Sequence, residues 1–258
     1  MMKTFQGHFD LFKQKLIDRE PFAFSRYSDG EMYILKNTQL KLDQNLIQID
    51  NQSQFGPYAS QDFKHFDPVE HKEFRDRLID AYLFRKPNYY KGISCRCCVD
   101  DNNFQYQIDL HGGDDEYLTW ANLLINANYP RFIEEMLPIM QSYDAVMTCH
   151  KDANLDKLEF VVKDFRVGYN AMINDYGKIQ DIKNWIDENK VEGTLFLFSA
   201  STFSNLAIYE LFKHNDKNTY MDIGTCLTPF MNMPTDRHYL QEYWFGAPLR
   251  DTKKVCIW

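Results

Sequence analysis

The hydrophobic positions change period several times along this 258-residue chain, and each change marks an element. Phe5, Phe9, Phe12 and Leu16 fall four, three and four apart, which predicts an amphipathic helix closed by Pro21. Residues 22–27 read as a short strand, and Ser28-Asp29-Gly30-Glu31 turns out of it into Met32-Tyr33-Ile34-Leu35. Residues 37–66 are rich in Gln, Asn and Asp and hold no sustained period, so an irregular surface excursion is expected there. Asp67-Pro68-Val69-Glu70 has the residues of a helix start, followed by Phe74, Leu78, Ala81 and Tyr82 at helical spacing and a stop near Pro87. Residues 89–95 read as a second strand. Phe104 to Leu110 alternates apolar and polar side chains, the pattern of an edge strand or extended loop, until Gly112-Gly113 breaks it. Leu118, Ala121, Leu124 and Ile125 then recur at helical spacing behind Asp114, Asp115 and Glu116.

From there the alternation is regular. Strands are expected at 144–149, 160–167, 194–199 and 219–223, with helices at 179–189 and 205–213. Leu195-Phe196-Leu197-Phe198 is an unbroken apolar run, the mark of a strand covered on both faces. Strand, helix, strand with short connections implies parallel pairing and right-handed crossovers. The expected fold class is therefore α/β: a Rossmann-like, mostly parallel sheet with helices on both faces. Residues 1–258 form one domain in this reading, with 226–258 an aromatic C-terminal segment.

Composition narrows the function. Lys and Arg number 29 against 37 Asp and Glu, a net charge of −8 that lacks the footprint of a nucleic-acid binder. No stretch approaches the roughly 20 apolar residues of a membrane span, and the N-terminus has no apolar signal region, so a cytoplasmic protein is expected. The six cysteines then read as reduced thiols. Cys95-Arg96-Cys97-Cys98 suggests zinc, but no second pair stands at usable spacing. His111-Gly112-Gly113-Asp114-Asp115-Glu116 fits either a cation site or a turn followed by helix-starting acids. Oligomeric state is not legible.

Ligands of open α/β sheets collect at the carboxyl ends of the strands. The residues expected there are Arg26 to Glu31, His150 to Asp152, Ser199 to Ser204 and Asp222 to Thr225. Asp29 and Glu31, two carboxylates around a glycine, can converge on a hard cation such as Mg²⁺ or Mn²⁺; the same acids also suit a cap and the first turn of a helix. Gly30 permits close approach of a phosphate. Arg26 can neutralise a phosphate or pair with a carboxylate. Ser199, Ser201 and Thr202 bring hydroxyls to a helix N-terminus, where they bind an anion or simply cap. Asp222 ends the last strand as a general base, a ribose contact or a strand-end acid. The usual glycine patterns of nucleoside triphosphatases and dinucleotide-binding proteins are missing.

The segment Phe24-Ser25-Arg26-Tyr27-Ser28-Asp29-Gly30-Glu31 resembles the Arg-Phe-Gly-Asp-Gly-Glu signature of the GT-D-fold glycosyltransferases, the DUF1792 group and its relatives. Residues 121–129 resemble the family's Asn-rich helix, and Leu197 to Ser201 its strand and small-residue turn. Thr219 to Phe230 followed by Asp236-Arg237-His238-Tyr239 resembles its terminal Asp-Ile/Val-Gly strand and Arg-X-Tyr continuation. Three positions differ: Tyr27-Ser28 replaces Phe-Gly, Ser199-Ala200-Ser201 lacks a glycine, and Thr228 stands where relatives often carry an acid.

The resemblance implies a metal-dependent transfer of a sugar from a nucleotide-diphosphate sugar to a glycan or glycoconjugate acceptor. It implies that Asp29 and Glu31 hold the divalent cation, that Arg26 and Arg237 meet phosphate charge, and that Ser199, Ser201 and Thr202 hold diphosphate or ribose. Asp222 is the candidate base should the anomeric centre invert. Tyr239, Tyr243, Trp244 and Phe245 form either an acceptor wall or packing for the sheet edge. The competing readings are a phosphohydrolase or nucleotide-binding enzyme using the same acids, and a non-catalytic scaffold in a glycosylation complex.

Overall fold

The apolar run at 195–198 divides its side chains between two cores. Leu195 and Leu197 face one and Phe196 and Phe198 the other, none more than 1% exposed. That division runs through the whole sheet, with Ala23, Val146 and Tyr220 on one side and Phe24, Met147 and Met221 on the other. The computed structural model describes residues 5–43, 46–50, 52–55, 63–235 and 237–247.

Helix α1 (Phe5–Ile17) precedes strand β1 (Ala23–Arg26), which leads into helix α2 (Asp29–Leu35). Four short strands follow: β2 (Leu40–Asp43), β3 (Leu46–Ile49), β4 (Gln52–Phe55) and β5 (Lys64–Phe66). Helix α3 (Lys72–Leu83), strand β6 (Tyr89–Ile93), helix α4 (Asp101–His111) and strand β7 (Leu118–Trp120) complete the first half. A short 3₁₀ turn (Asn126–Asn128) opens a helical stretch made of α5 (Tyr129–Arg131), a π turn (Phe132–Met136) and α6 (Leu137–Met140). Then come β8 (Ala145–His150), β9 (Val161–Val167), α7 (Ala171–Asn174), α8 (Lys178–Asn189) and β10 (Leu195–Ser199). Helix α9 (Thr202–His214), strand β11 (Thr219–Asp222), a 3₁₀ turn (Thr228–Met231) and α10 (His238–Phe245) end the described chain.

Seven strands form one parallel sheet in the order β7-β6-β1-β11-β10-β8-β9. One face is covered by α3, α8 and α9 through Leu78, Ile182 and Leu206; the other by α1 and the 129–140 stretch through Phe12, Phe132 and Met136. Each such ring or branched side chain, fully removed from water, contributes about 1.5–3 kcal/mol. The Rossmann-like single-domain expectation holds. From β1 the chain moves outward to β6 and β7, whereas β11 is reached from the opposite side through β10. The order therefore reverses between β1 and β11, and a crevice opens beyond their carboxyl ends.

Three expectations are corrected. Residues 37–66 are no irregular excursion: the described part is an antiparallel sheet ordered β4-β3-β2-β5. Leu40 lies opposite Phe66, and both are buried in the main core, which anchors the small sheet. Residues 104–110 are helical, because Asp100 accepts from the Asn103 N–H at the start and Gly112 closes the end in the left-handed conformation. Leu118 to Trp120 is a strand pairing with β6, and the 121–129 segment is a set of tight turns rather than a helix. Among the described residues no helix is long and apolar enough to cross a membrane.

Candidate active site

The two strands at the reversal point end in opposite charges. Arg26 closes β1 and Asp222 closes β11, with Arg26 Nη1 standing 3.8 Å from Asp222 Oδ1, and both side chains are nearly buried. Arg26 Nε donates to the Ala121 carbonyl, and Asp222 Oδ1 accepts from the Gly224 N–H at 2.8 Å. Gly224 has φ +51°, and a Cβ there would stand 2.1 Å from Arg26 Nη1, so the guanidinium occupies the space a side chain at this position would need. Burial pushes the Asp222 carboxyl up to about 6, against the pull of Arg26 and the Gly224 bond. Asn205, on α9, is buried and donates to Ser25 Oγ at 3.1 Å and to the Arg26 carbonyl at 2.7 Å. It fastens the end of β1 to the helix behind it.

Past β1 the chain enters α2 through a capping box. The backbone N–H and the hydroxyl of Ser28 both donate to Glu31 Oε2 at 3.0 Å. The other carboxylate oxygen, Oε1, accepts from Thr202 Oγ1 at 2.7 Å and from Lys64 Nζ at 3.1 Å. Glu31 is only 4% exposed. Burial alone would raise its pKa, but the charge of Lys64 and the bonds from Thr202 and Ser28 hold it down at about 2. Asp29 lines the cavity beside it; enclosure and the Glu31 charge raise its carboxyl above the usual range, against Lys64 and Arg237.

A cavity of about 830 Å³ joins these groups. Of the residues expected at the site, Arg26, Asp29, Glu31, Ser199, Ser201, Thr202, Asp222 and Arg237 line it, and Gly30 does not. Ser201 adopts φ +54° and ψ −144°, a conformation that ordinarily demands glycine. The turn that lacks a glycine in sequence thus keeps a glycine's backbone shape. Gly30 faces neither open space nor an anion, because a Cβ there would meet Lys64 Nζ at 2.4 Å.

Sequence reasoning missed Lys64 and Asn205. Lys64 sits on β5, inside the segment read as irregular, and nothing local marks it. Asn205 is a polar residue on the buried face of α9, beside Ser204 and Leu206, a signal that its partners lie in the neighbouring strand.

Cys95, Cys97 and Cys98 bring three sulfurs within 4.8 Å of one another, with Cys95 and Cys98 lining the cavity, and Cys149 and His150 do not join them. His111 and Asp115 pair with each other at 2.8 Å and lie outside the cavity lining. In the aromatic segment Tyr239 is buried, lines the cavity and bonds Thr225 Oγ1 at 2.7 Å, Trp244 Nε1 donates to Tyr129 at 3.0 Å, and Phe245 is exposed. Asp236 and residues 248–258 of that segment lie outside the described residues.

Whether Asp29 and Glu31 together fit a divalent cation is decided by the donors already present. Both Glu31 oxygens are occupied by two donors each, and an ammonium holds the position between this carboxylate and Gly30. A joint cation site does not fit that arrangement; only Asp29 offers an uncommitted carboxylate.

No family model matches the chain, and no curated protein does. Solved structures do. One, described as a new glycosyltransferase (DUF1792) from Streptococcus sanguinis, superposes with a TM-score of 0.55 at 13% identity, covering 87% of this chain and 81% of that one. A second, described as showing that the highly conserved domain of unknown function 1792 has a distinct glycosyltransferase fold, gives a TM-score of 0.51 at 13% identity over 95% and 90% of the two chains. A selenomethionine-substituted structure of that domain gives 0.51 at 14% identity with the same coverage. Seven parallel strands whose order reverses between β1 and β11, and the helices that cover them, are those of the GT-D glycosyltransferase fold.

Proposed function

We propose that the chain is a glycosyltransferase moving a sugar from a nucleotide-diphosphate sugar to a glycan or glycoconjugate acceptor. The observation that carries this reading is the convergence of Arg26, Arg237 and the Ser199–Thr202 turn on one cavity at the strand-order reversal. Its volume of about 830 Å³ is that of a site taking a ligand of nucleotide-sugar size. Breaking the bond between sugar and diphosphate leaves negative charge on the departing oxygen, and preorganised cations and N–H donors stabilise it. Arg26 and Arg237 would take that role. Ser199 and Ser201 would hold diphosphate or ribose, while Thr202 is committed to Glu31. Asp222 would take the proton of the acceptor hydroxyl in an inverting transfer. Its raised pKa suits a base that must release that proton again near neutrality.

The divalent cation expected from the sequence has no part in this reading, because Lys64 and the Ser28 and Thr202 donors fill Glu31. The reading is tested by screening nucleotide sugars for a thermal shift and then for transfer to glycan acceptors. A ligand at 100 times its Kd stabilises by about 2.7 kcal/mol, a readily measured rise in Tm. No shift with any donor would refute it, and phosphate release without an acceptor would favour a hydrolase.

A further inference from the structure

We infer that Lys64 supplies the positive charge at the Asp29–Glu31 pair, so that this chain holds the diphosphate of its donor with a side-chain ammonium rather than a divalent ion. The inference rests on the glycosyltransferase reading above and deepens it.

Lys64 is held in place from both sides along its own strand. Phe63, the residue before it, packs its ring against Tyr169 with centroids 4.4 Å apart. His65, the residue after it, bonds Asn170 twice: the His65 N–H donates to Asn170 Oδ1 at 3.1 Å, and Asn170 Nδ2 donates to the His65 carbonyl at 3.0 Å. An amide side chain thereby acts as one more strand partner for β5. On the other edge Lys64 is in register with Leu42 of β2, and Phe66 is buried in the main core. A backbone fixed at four points aims a side chain that is 16% exposed across Gly30. A Cβ at position 30 would require the ammonium to shift.

Glu31 is correspondingly built as a holder. Ser28 takes one of its oxygens with two donors, and Thr202 shares the other with Lys64. A carboxylate that accepts four hydrogen bonds has no lone pair left for a metal ion. An ammonium has three donors, and Glu31 engages one of them. The cavity beside it is where Asp29 and Arg237 stand, and where the diphosphate is placed by the reading above. In the transfer, the bond from the anomeric carbon to the diphosphate oxygen breaks and its electron pair stays on that oxygen, facing Lys64 and Arg26. The acceptor oxygen bonds the anomeric carbon, and its proton passes to Asp222. The negative charge gained by the departing diphosphate equals that lost by Asp222 on protonation, so the step itself balances.

The test measures Mn²⁺ binding from the signal of free Mn²⁺ in electron paramagnetic resonance, and binding of uridine, guanosine, adenosine and thymidine diphosphates by calorimetry with excess chelator or with Mn²⁺. Wild type, Lys64→Met and Lys64→Arg are compared, with circular dichroism as the check on folding. The expected result is that wild type binds a nucleoside diphosphate in chelator and that Lys64→Met weakens this at least about tenfold, the value of one charge-assisted hydrogen bond. Lys64→Arg retains most of it, and Lys64→Met binds Mn²⁺ more tightly than wild type does. Nucleotide binding by wild type only when Mn²⁺ is present overturns the inference and leaves the glycosyltransferase reading standing. So does Mn²⁺ binding equally tight in wild type and Lys64→Met. Failure of every nucleotide to bind any variant, with or without Mn²⁺, defeats the glycosyltransferase reading and this inference with it.

Discussion

Replacing Glu31 by Gln removes one charge from a buried cluster and turns one of its two acceptor oxygens into an amide donor. Glu31 is held at about 2 in the folded protein against an ordinary 4.5, and that difference of about 2.5 corresponds to about 3 kcal/mol of stability at neutral pH. Breaking a buried ion pair by deleting one partner costs about 3–5 kcal/mol, because the other charge is left uncompensated. The folded pKa lies below the unfolded one, so the contribution is complete above pH 4.5 and is lost as pH falls toward about 2. Urea unfolding followed by fluorescence of the four tryptophans should therefore show Glu31→Gln less stable by about 3 kcal/mol at pH 7, narrowing to about 1 kcal/mol at pH 3. In a double-mutant cycle, adding Lys64→Met should cost less than the sum of the two single changes. A deficit under about 1 kcal/mol at pH 7, or one of the same size at both pH values, would refute the claim that Glu31 is an ionised, fully engaged holder of Lys64.

Further outcomes follow from the neighbouring residues. Ser201→Gly should raise stability by about 1 kcal/mol, seen as a higher Tm, because the backbone at φ +54° and ψ −144° strains any side chain; an unchanged or lower Tm would contradict this. Gly224→Ala should cost about 1–3 kcal/mol and weaken nucleoside diphosphate binding, since its Cβ would overlap Arg26 Nη1; calorimetry and urea unfolding measure both effects. For Asp222 the sign is opposite to that of Glu31. Its folded pKa is raised, so the favourable contribution of the protonated form is lost as pH climbs from 3.8 through about 6. Asp222→Asn should therefore gain on wild type by up to about 3 kcal/mol between pH 4 and pH 7. As the base, Asp222 also requires the transfer rate to rise with pH around 6, a limb absent from Asp222→Asn.

The parallel core and most of the candidate site were legible because both depend on short-range pattern. A strand buried on both faces needs unbroken apolar residues, as at 195–198, and strand-end residues can be counted from the strands themselves. Arg26, Asp29, Asp222 and the 199–202 turn were placed that way, and all line the cavity. Local reasoning failed where two elements share one pattern. Phe104-Gln105-Tyr106-Gln107-Ile108-Asp109-Leu110 alternates like a strand, yet Phe104 and Ile108 are also one helical turn apart. The caps at Asp100 and Gly112 decide for helix. Residues 40–43 alternate too, but over so short a span that the polar surroundings masked it.

The sequence alone determined the sheet, its two apolar faces and the identity of the acids at its rim, because burial and spacing are properties of the chain as written. What those acids do was decided only in three dimensions. Glu31 meets Lys64 from 33 positions away and Thr202 from 171 positions away, on a strand and a helix that local pattern cannot bring together. A carboxylate's chemistry depends on which donors reach it. That is set by how the chain folds back on itself.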